Sequence, residues 1–146
     1  MLQVKFYDEY KNMDDSLLRF SVIVSRYQHQ WVFCKHKERT TYEVPGGHRE
    51  LGEDVRAAAV RELYEETGAS RFDISPVCVY SVVNERYPEE ESFGMLYFAD
   101  IYSFQELPDG SEMESVVLFP ELPGKLTYPD IQPELYRKVK SMLESH

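Results

Sequence analysis

The sequence predicts an α/β fold, a mixed β-sheet with helices packed on it. Patterned segments follow one another in the order β-β-β-α-β-β-β-α, which suits a sheet covered by helices. Helical character is confined to residues 55–67 and 132–144, while most of the remaining apolar runs are rich in β-branched and aromatic residues. The 146 residues, 42% of them hydrophobic, suffice for one globular domain with a usable core, so the chain 1–146 is read as a single domain.

The elements follow in order. Leu2 to Tyr7 is a short, weakly patterned edge strand, and Asn12 to Ser16 is a polar break. Leu18 to Tyr27 and Trp31 to Lys37 form a hairpin joined by Gln28-His29-Gln30. Lys35, Lys37 and Arg39 then lead towards a glycine turn, either as solvated cations or as groups that meet phosphate. Thr41 to Val44 is a brief strand feeding Pro45-Gly46-Gly47. Val55 to Thr67 contains no proline or glycine and carries Ala57, Ala58, Ala59 and Leu63, so it is a helix. Asp54 caps its start and Gly68 provides the left-handed stop.

Phe72 to Glu85 is one strand or two, with Pro76 marking an edge or a bulge. Tyr87 to Glu91 is expected as a polar, proline-bearing loop, and Ser92 to Phe104 as a long central strand. Leu107 to Glu114 is a turn-rich loop before a final strand, Val116 to Phe119. A connector, Pro120 to Pro129, precedes an amphipathic helix from Gln132 to Glu144, with Leu135, Val139 and Leu143 at i, i+4 and i+8.

The chemistry gathers on the first helix. Glu62, Glu65 and Glu66 stand at i, i+3 and i+4, on one face and within reach of each other. Like charges at that spacing repel. One reading is a solvated acidic face. The other is a metal site, supported by Arg61 beside the cluster, by Glu53 at the helix entrance, and by Gly46-Gly47, whose backbone can approach a ligand closely. Oxygen-only donors of this kind suit Mg²⁺, with Mn²⁺ as a substitute.

The same residues carry a resemblance. Gly47, Glu53, Arg61, Glu62, Leu63, Glu65, Glu66 and Gly68 fit the pattern G-x5-E-x7-R-E-U-x-E-E-x-G-U, with U a bulky aliphatic residue, which is the signature of the Nudix hydrolases. Ala69 fills the last U position and is smaller than usual, a departure that touches packing rather than chemistry. Val44-Pro45-Gly46-Gly47 is similar to the family's lead-in. The resemblance implies a Nudix-type α/β/α sandwich with a mixed β-sheet. It implies metal-dependent attack of water on a nucleoside diphosphate linked to some group X. Carried over residue by residue, it makes the Gly47 carbonyl, Glu62, Glu65 and Glu66 the metal ligands. Glu53 becomes a metal-linked or orienting carboxylate and Arg61 a structural partner. The general base falls within the box or on a later loop, where Glu112 is preferred over Glu114.

Flanking stretches, Trp31-Val32, residues 97–101 and residues 117–123, resemble MutT-like nucleoside triphosphate pyrophosphohydrolases. The substrate so implied is a (d)NTP such as 8-oxo-dGTP, cleaved to the monophosphate and pyrophosphate. The alternatives are an RNA 5′ end, a dinucleoside polyphosphate, or ligand binding without catalysis in a nucleotide-sensing module. Asp130 and Gln132 are candidates for reading a purine edge, or else for the turn and cap of the last helix. Tyr87 lies at about the spacing that marks some dinucleoside polyphosphate hydrolases.

Charge narrows the partners. Lys and Arg total 16 against 26 Asp and Glu, a net charge of −10. Such a surface repels nucleic acid and acidic membranes at long range, which favours a small nucleotide over a long RNA footprint. Cys34 and Cys78 have neither metal-ligand spacing nor a disulfide framework and are expected in the core. The first residues form no signal sequence, and no apolar run reaches transmembrane length, so the cytoplasm is the expected location. The chain is expected to be a monomer or a homodimer.

Overall fold

The computed structural model describes residues 2–145. Strands β1 (Leu2–Tyr7), β2 (Leu18–Tyr27), β3 (Gln30–His36) and β4 (Tyr42–Glu43) precede a three-residue strand β5 (Gly46–His48) and helix α1 (Val55–Thr67). Strands β6 (Ala69–Asn84), β7 (Tyr87–Phe104) and β8 (Met113–Phe119) and helix α2 (Gln132–Glu144) complete the chain. The sheet runs β1-β6-β7-β2-β3-β4, with β5 added to β2 and β8 to β3. The β2–β7 pair is parallel, and the other named strand pairs are antiparallel, so the sheet is mixed.

Alternation along the central strands sends side chains to both faces. On one face Ile23, Met95, Tyr97, Ala99 and Ile101 pack with Ala59 and Leu63 of α1. On the other, Val24, Leu96 and Phe98 pack with Leu135, Tyr136 and Val139 of α2. The result is an α/β/α sandwich. Ala58 and Ala59 are fully buried, and their small side chains let α1 approach the sheet closely. Asp54 Oδ1 accepts from Ala57 N at 2.6 Å, and Gly68 adopts φ 76°, so both ends of α1 stop where the sequence directs. Cys34 and Cys78 are buried free thiols.

Four local expectations are corrected. The hairpin turn comprises Gln28 and His29 alone, both at positive φ, while Gln30 already pairs with Tyr27. That conformation matches the tight two-residue turns favoured by strand twist. Residues 46–48 are a strand rather than a turn. A Cβ on Gly46 would lie 2.7 Å from the Ser21 carbonyl oxygen, so only glycine admits this pairing with β2. Tyr87 to Glu91 belongs to β7. Glu91 is held there by hydrogen bonds from Ser81 Oγ and Tyr7 Oη, and Pro88 stands where the β6–β7 register is irregular. The last strand begins at Met113, three residues before the apolar run, because β8 continues its pairing to His36 of β3.

Among the described residues, no helix is long and apolar enough to cross a membrane.

Candidate active site

Helix α1 carries its acids past the edge of β5, and Arg61 ties them together. Its Nε donates to Glu53 Oε2 at 2.8 Å, and its Nη2 donates to Glu53 Oε1 at 3.0 Å. Its Nη1 donates to Glu62 Oε1 at 2.9 Å and to Glu65 Oε2 at 3.3 Å. Nη2 also reaches the His48 carbonyl at 3.1 Å, fastening the helix to β5. Paired on both oxygens, Glu53 is held down to about 2, chiefly by Arg61 and then by the Glu50 N–H that its Oε1 accepts. It is a committed, charged anchor.

Glu62 and Glu66 are in the opposite situation. Burial pushes Glu66 up to about 8, reinforced by the neighbouring charges of Glu62, Glu43 and Glu112, and only the Gly46 N–H, donating to Oε1 at 2.8 Å, acts against this. Burial also raises Glu62, although Arg61 partly compensates. Gly47 lies directly over that carboxylate, and a Cβ there would stand 2.7 Å from Glu62 Oε1. A side chain at this position would displace the Glu62 carboxylate from its place against β5. Glu65 is about half exposed.

Glu62, Glu65 and Glu66 line a cleft of about 490 Å³, closed on its other side by residues 108–112. The loop is pinned to the helix by Ser111 Oγ, which donates to the Glu65 carbonyl at 2.8 Å, and to β3 by Lys37 N, which donates to the Glu112 carbonyl at 3.1 Å. Glu112 is therefore brought to the cleft, with His36 Nε2 3.7 Å from its carboxylate. Glu114, the other loop candidate, instead pairs with Lys35.

The donor set fits a hard divalent cation. It consists of oxygen atoms, and its two inner carboxylates, Glu62 and Glu66, are partly buried and repel one another. Among the described residues, no three His, Cys, Asp or Glu groups converge on one point as they stand, and Arg61 pairs with Glu53, Glu62 and Glu65. A cation would take over part of the role that Arg61 plays there.

Across β5 lies a second hollow of about 390 Å³. Phe20, Val22, Val44, Tyr80 and Leu135 supply apolar wall, with Gly46, Gly47 and His48 on the side facing the cleft. Gln132, the first residue of α2, is 4% exposed, and its Oε1 has no hydrogen-bond partner. An orphaned buried acceptor at a cavity wall is a place for a ligand's donor. Asp130 is exposed and does not line the hollow, and neither does Tyr87. Sequence reasoning missed Glu43, a buried acid in this wall, whose only signal was an acid within the otherwise apolar run Tyr42-Glu43-Val44. It also missed Phe20, Tyr80 and His48, which nothing local distinguishes from ordinary sheet residues.

Residues 16–139 match the NUDIX domain. The Bacillus subtilis (strain 168) protein named "Putative 8-oxo-dGTP diphosphatase YtkD" is 35% identical over 105 residues, covering 72% of this chain and 64% of that protein. A second protein of the same organism, named "Putative 8-oxo-dGTP diphosphatase", is 33% identical over 91 residues, covering 62% of this chain and 58% of that protein. The alignments thus span less than two thirds of either relative. The crystal structure of the B. subtilis pyrophosphohydrolase BsRppH, a mutant form, matches with a TM-score of 0.77 at 28% identity, covering 95% of this chain and 90% of that one. With the motif, the fold and the matched span in agreement, the chain belongs to the NUDIX domain family.

Proposed function

We propose that residues 1–146 form one domain acting as a metal-dependent pyrophosphohydrolase on a small nucleotide, with a (d)NTP such as 8-oxo-dGTP as the substrate class. The observation that carries this reading is the pair of hollows on either side of β5. One is acidic and suited to a metal-bound pyrophosphate. The other is apolar and sized for a base and sugar. The names of the two bacterial relatives favour the 8-oxo-dGTP assignment.

Glu62, Glu65 and Glu66, with the Gly47 carbonyl, would hold Mg²⁺ or Mn²⁺. Bound there, the metal would neutralise phosphate oxygens and acidify water. The chain's own residues do the rest. Arg61 orients Glu62 and Glu65, and Glu53 orients Arg61. Glu112 is the preferred general base, because its exposed carboxylate is on the cleft wall and free to receive a proton from water. Glu65 is the alternative within the helix. Gln132 Oε1 accepts a hydrogen bond from a donor on the base.

A second substrate class, a triphosphorylated RNA 5′ end, gains support from similarity over nearly the whole chain to a bacterial pyrophosphohydrolase. The net charge of −10 limits such an RNA to contacts at its end. The test is a metal-supplemented screen of dNTPs, 8-oxo-dGTP, dinucleoside polyphosphates and triphosphorylated RNA. The proposal expects pyrophosphate release from 8-oxo-dGTP or another (d)NTP, abolished by chelator and restored by Mg²⁺. Release from RNA alone would favour the second reading. Tight nucleotide binding without turnover would make the protein a sensor.

A further inference from the structure

Glu43 sits in β4 at 8% exposure and lines the apolar hollow. A buried carboxylate among apolar groups is unfavourable unless paired. Its partner is Arg39, whose Nη1 donates to Glu43 Oε2 at 3.0 Å. The same guanidinium lies 6.0 Å from the centre of the Tyr128 ring. Tyr128 belongs to the connector before α2, and it lines the hollow together with Ile131 and Gln132.

The connector is already sewn to β4 alongside this contact. Tyr42 N donates to the Lys125 carbonyl at 2.8 Å, and Thr127 N donates to the Tyr42 carbonyl at 2.9 Å. The Thr41 and Thr127 hydroxyls lie 2.7 Å apart. Arg39 extends this seam to the mouth of the hollow. It does not line the hollow itself, and its charge is engaged by Glu43. It is therefore poorly suited to gripping phosphate and well suited to holding an aromatic wall, since a planar cation favours the face of a tyrosine ring.

We propose that Arg39 is a positioning residue for the nucleoside part of the substrate: anchored by Glu43, it fixes the Tyr128 ring as a wall of the hollow and so sets affinity for base-bearing ligands without setting the rate of bond cleavage. This rests on the reading of the hollow as the nucleoside site.

The test compares wild type, Arg39→Ala and Arg39→Lys. Steady-state kinetics use the nucleoside triphosphate that wild type hydrolyses best, and inhibition by imidodiphosphate supplies a ligand without a base. Arg39→Ala is expected to raise KM about tenfold while kcat stays within about twofold. The inhibition constant for imidodiphosphate should not move. Arg39→Lys keeps the charge but loses the planar guanidinium, so it should fall between the two, and it carries the test if the alanine variant does not fold. Arg39→Ala should raise KM less in a Tyr128→Ala background than in wild type, because the shared contact is already gone and only the pairing of Glu43 is left to lose. An unchanged KM in both Arg39 variants would overturn the inference. So would a loss confined to kcat, or an equal loss of affinity for imidodiphosphate. Those outcomes leave the pyrophosphohydrolase reading standing. A wild-type protein with no affinity for any nucleotide would remove that reading and this inference with it.

Discussion

The two hollows that flank β5 differ in almost every physical respect. The cleft beside α1 is walled by Glu62, Glu65, Glu66 and Glu112, and its internal problem is repulsion. The hollow beside α2 is walled mainly by apolar and aromatic residues, and its loose end is one orphaned amide oxygen on Gln132. No lining residue is common to both; β5 stands between them, its Gly46 N–H bonded to Glu66 and its Gly47 packed against Glu62. That division separates charge handling from shape recognition. Damage to the first should therefore appear in kcat and in metal dependence, and damage to the second in KM and in substrate choice.

The largest effect expected is that of Glu66→Gln. Glutamine keeps an oxygen to accept the Gly46 N–H, so the melting curve should remain close to wild type. Turnover should fall about a thousandfold through loss of a metal-binding charge. Retained turnover in an assay of phosphate release would refute the ligand assignment. Next is the base: Glu112→Gln should lower kcat about a hundredfold at an unchanged KM. If Glu65→Gln instead shows the larger loss and the flatter pH profile, the base lies on the helix.

On the other side of β5, Gln132→Leu should fill the same space without an acceptor. It is expected to raise KM for purine nucleotides about tenfold and to spare kcat. A kcat effect equal to that of the cleft variants would show that the two hollows are not separable.

A further effect is on stability rather than turnover and distinguishes the hollows by pH. The Glu66 carboxyl is raised from an ordinary value of 4.5 to about 8 in the folded protein. The folded state thus holds this proton more tightly than the unfolded chain does. Its stabilising contribution is complete below about pH 4.5 and is lost as the pH rises towards 8. The metal-free protein should lose on the order of 3 kcal/mol over that span, seen as a falling Tm. Mg²⁺ binds the ionised form and should restore Tm most strongly at the upper end. A Tm that ignores both pH and magnesium in this range would mean that Glu66 is solvated.

Much of the first hollow was legible from the chain alone. Helix periodicity is local, so the spacing of Glu62, Glu65 and Glu66 already puts them on one face, and Arg61 beside them already implies a partner. The boundaries of α1 follow from the Asp54 cap and the Gly68 stop, and α2, which has no side-chain cap, follows from its apolar spacing. Where expectation and structure part, longer-range contacts decide. Tyr87 to Glu91 reads as a polar loop in isolation, yet Tyr7 and Ser81, 84 and 10 residues away in sequence, hold Glu91 in a strand. Gly46 and Gly47 look like a flexible turn, yet their missing side chains serve tight contacts with Ser21 and Glu62.

By itself the sequence determined the α/β class, both helices and the family signature, because each depends on residues within a few positions of one another. Only the tertiary structure decided that Glu112 rather than Glu114 meets the cleft, that Gln132 rather than Asp130 meets the second hollow, and that Arg39 joins Glu43 to Tyr128. Those outcomes depend on how β4, β5, β8 and the connector before α2 are brought side by side. That arrangement is fixed by sheet pairing and core packing between distant segments, which no local pattern of residues encodes.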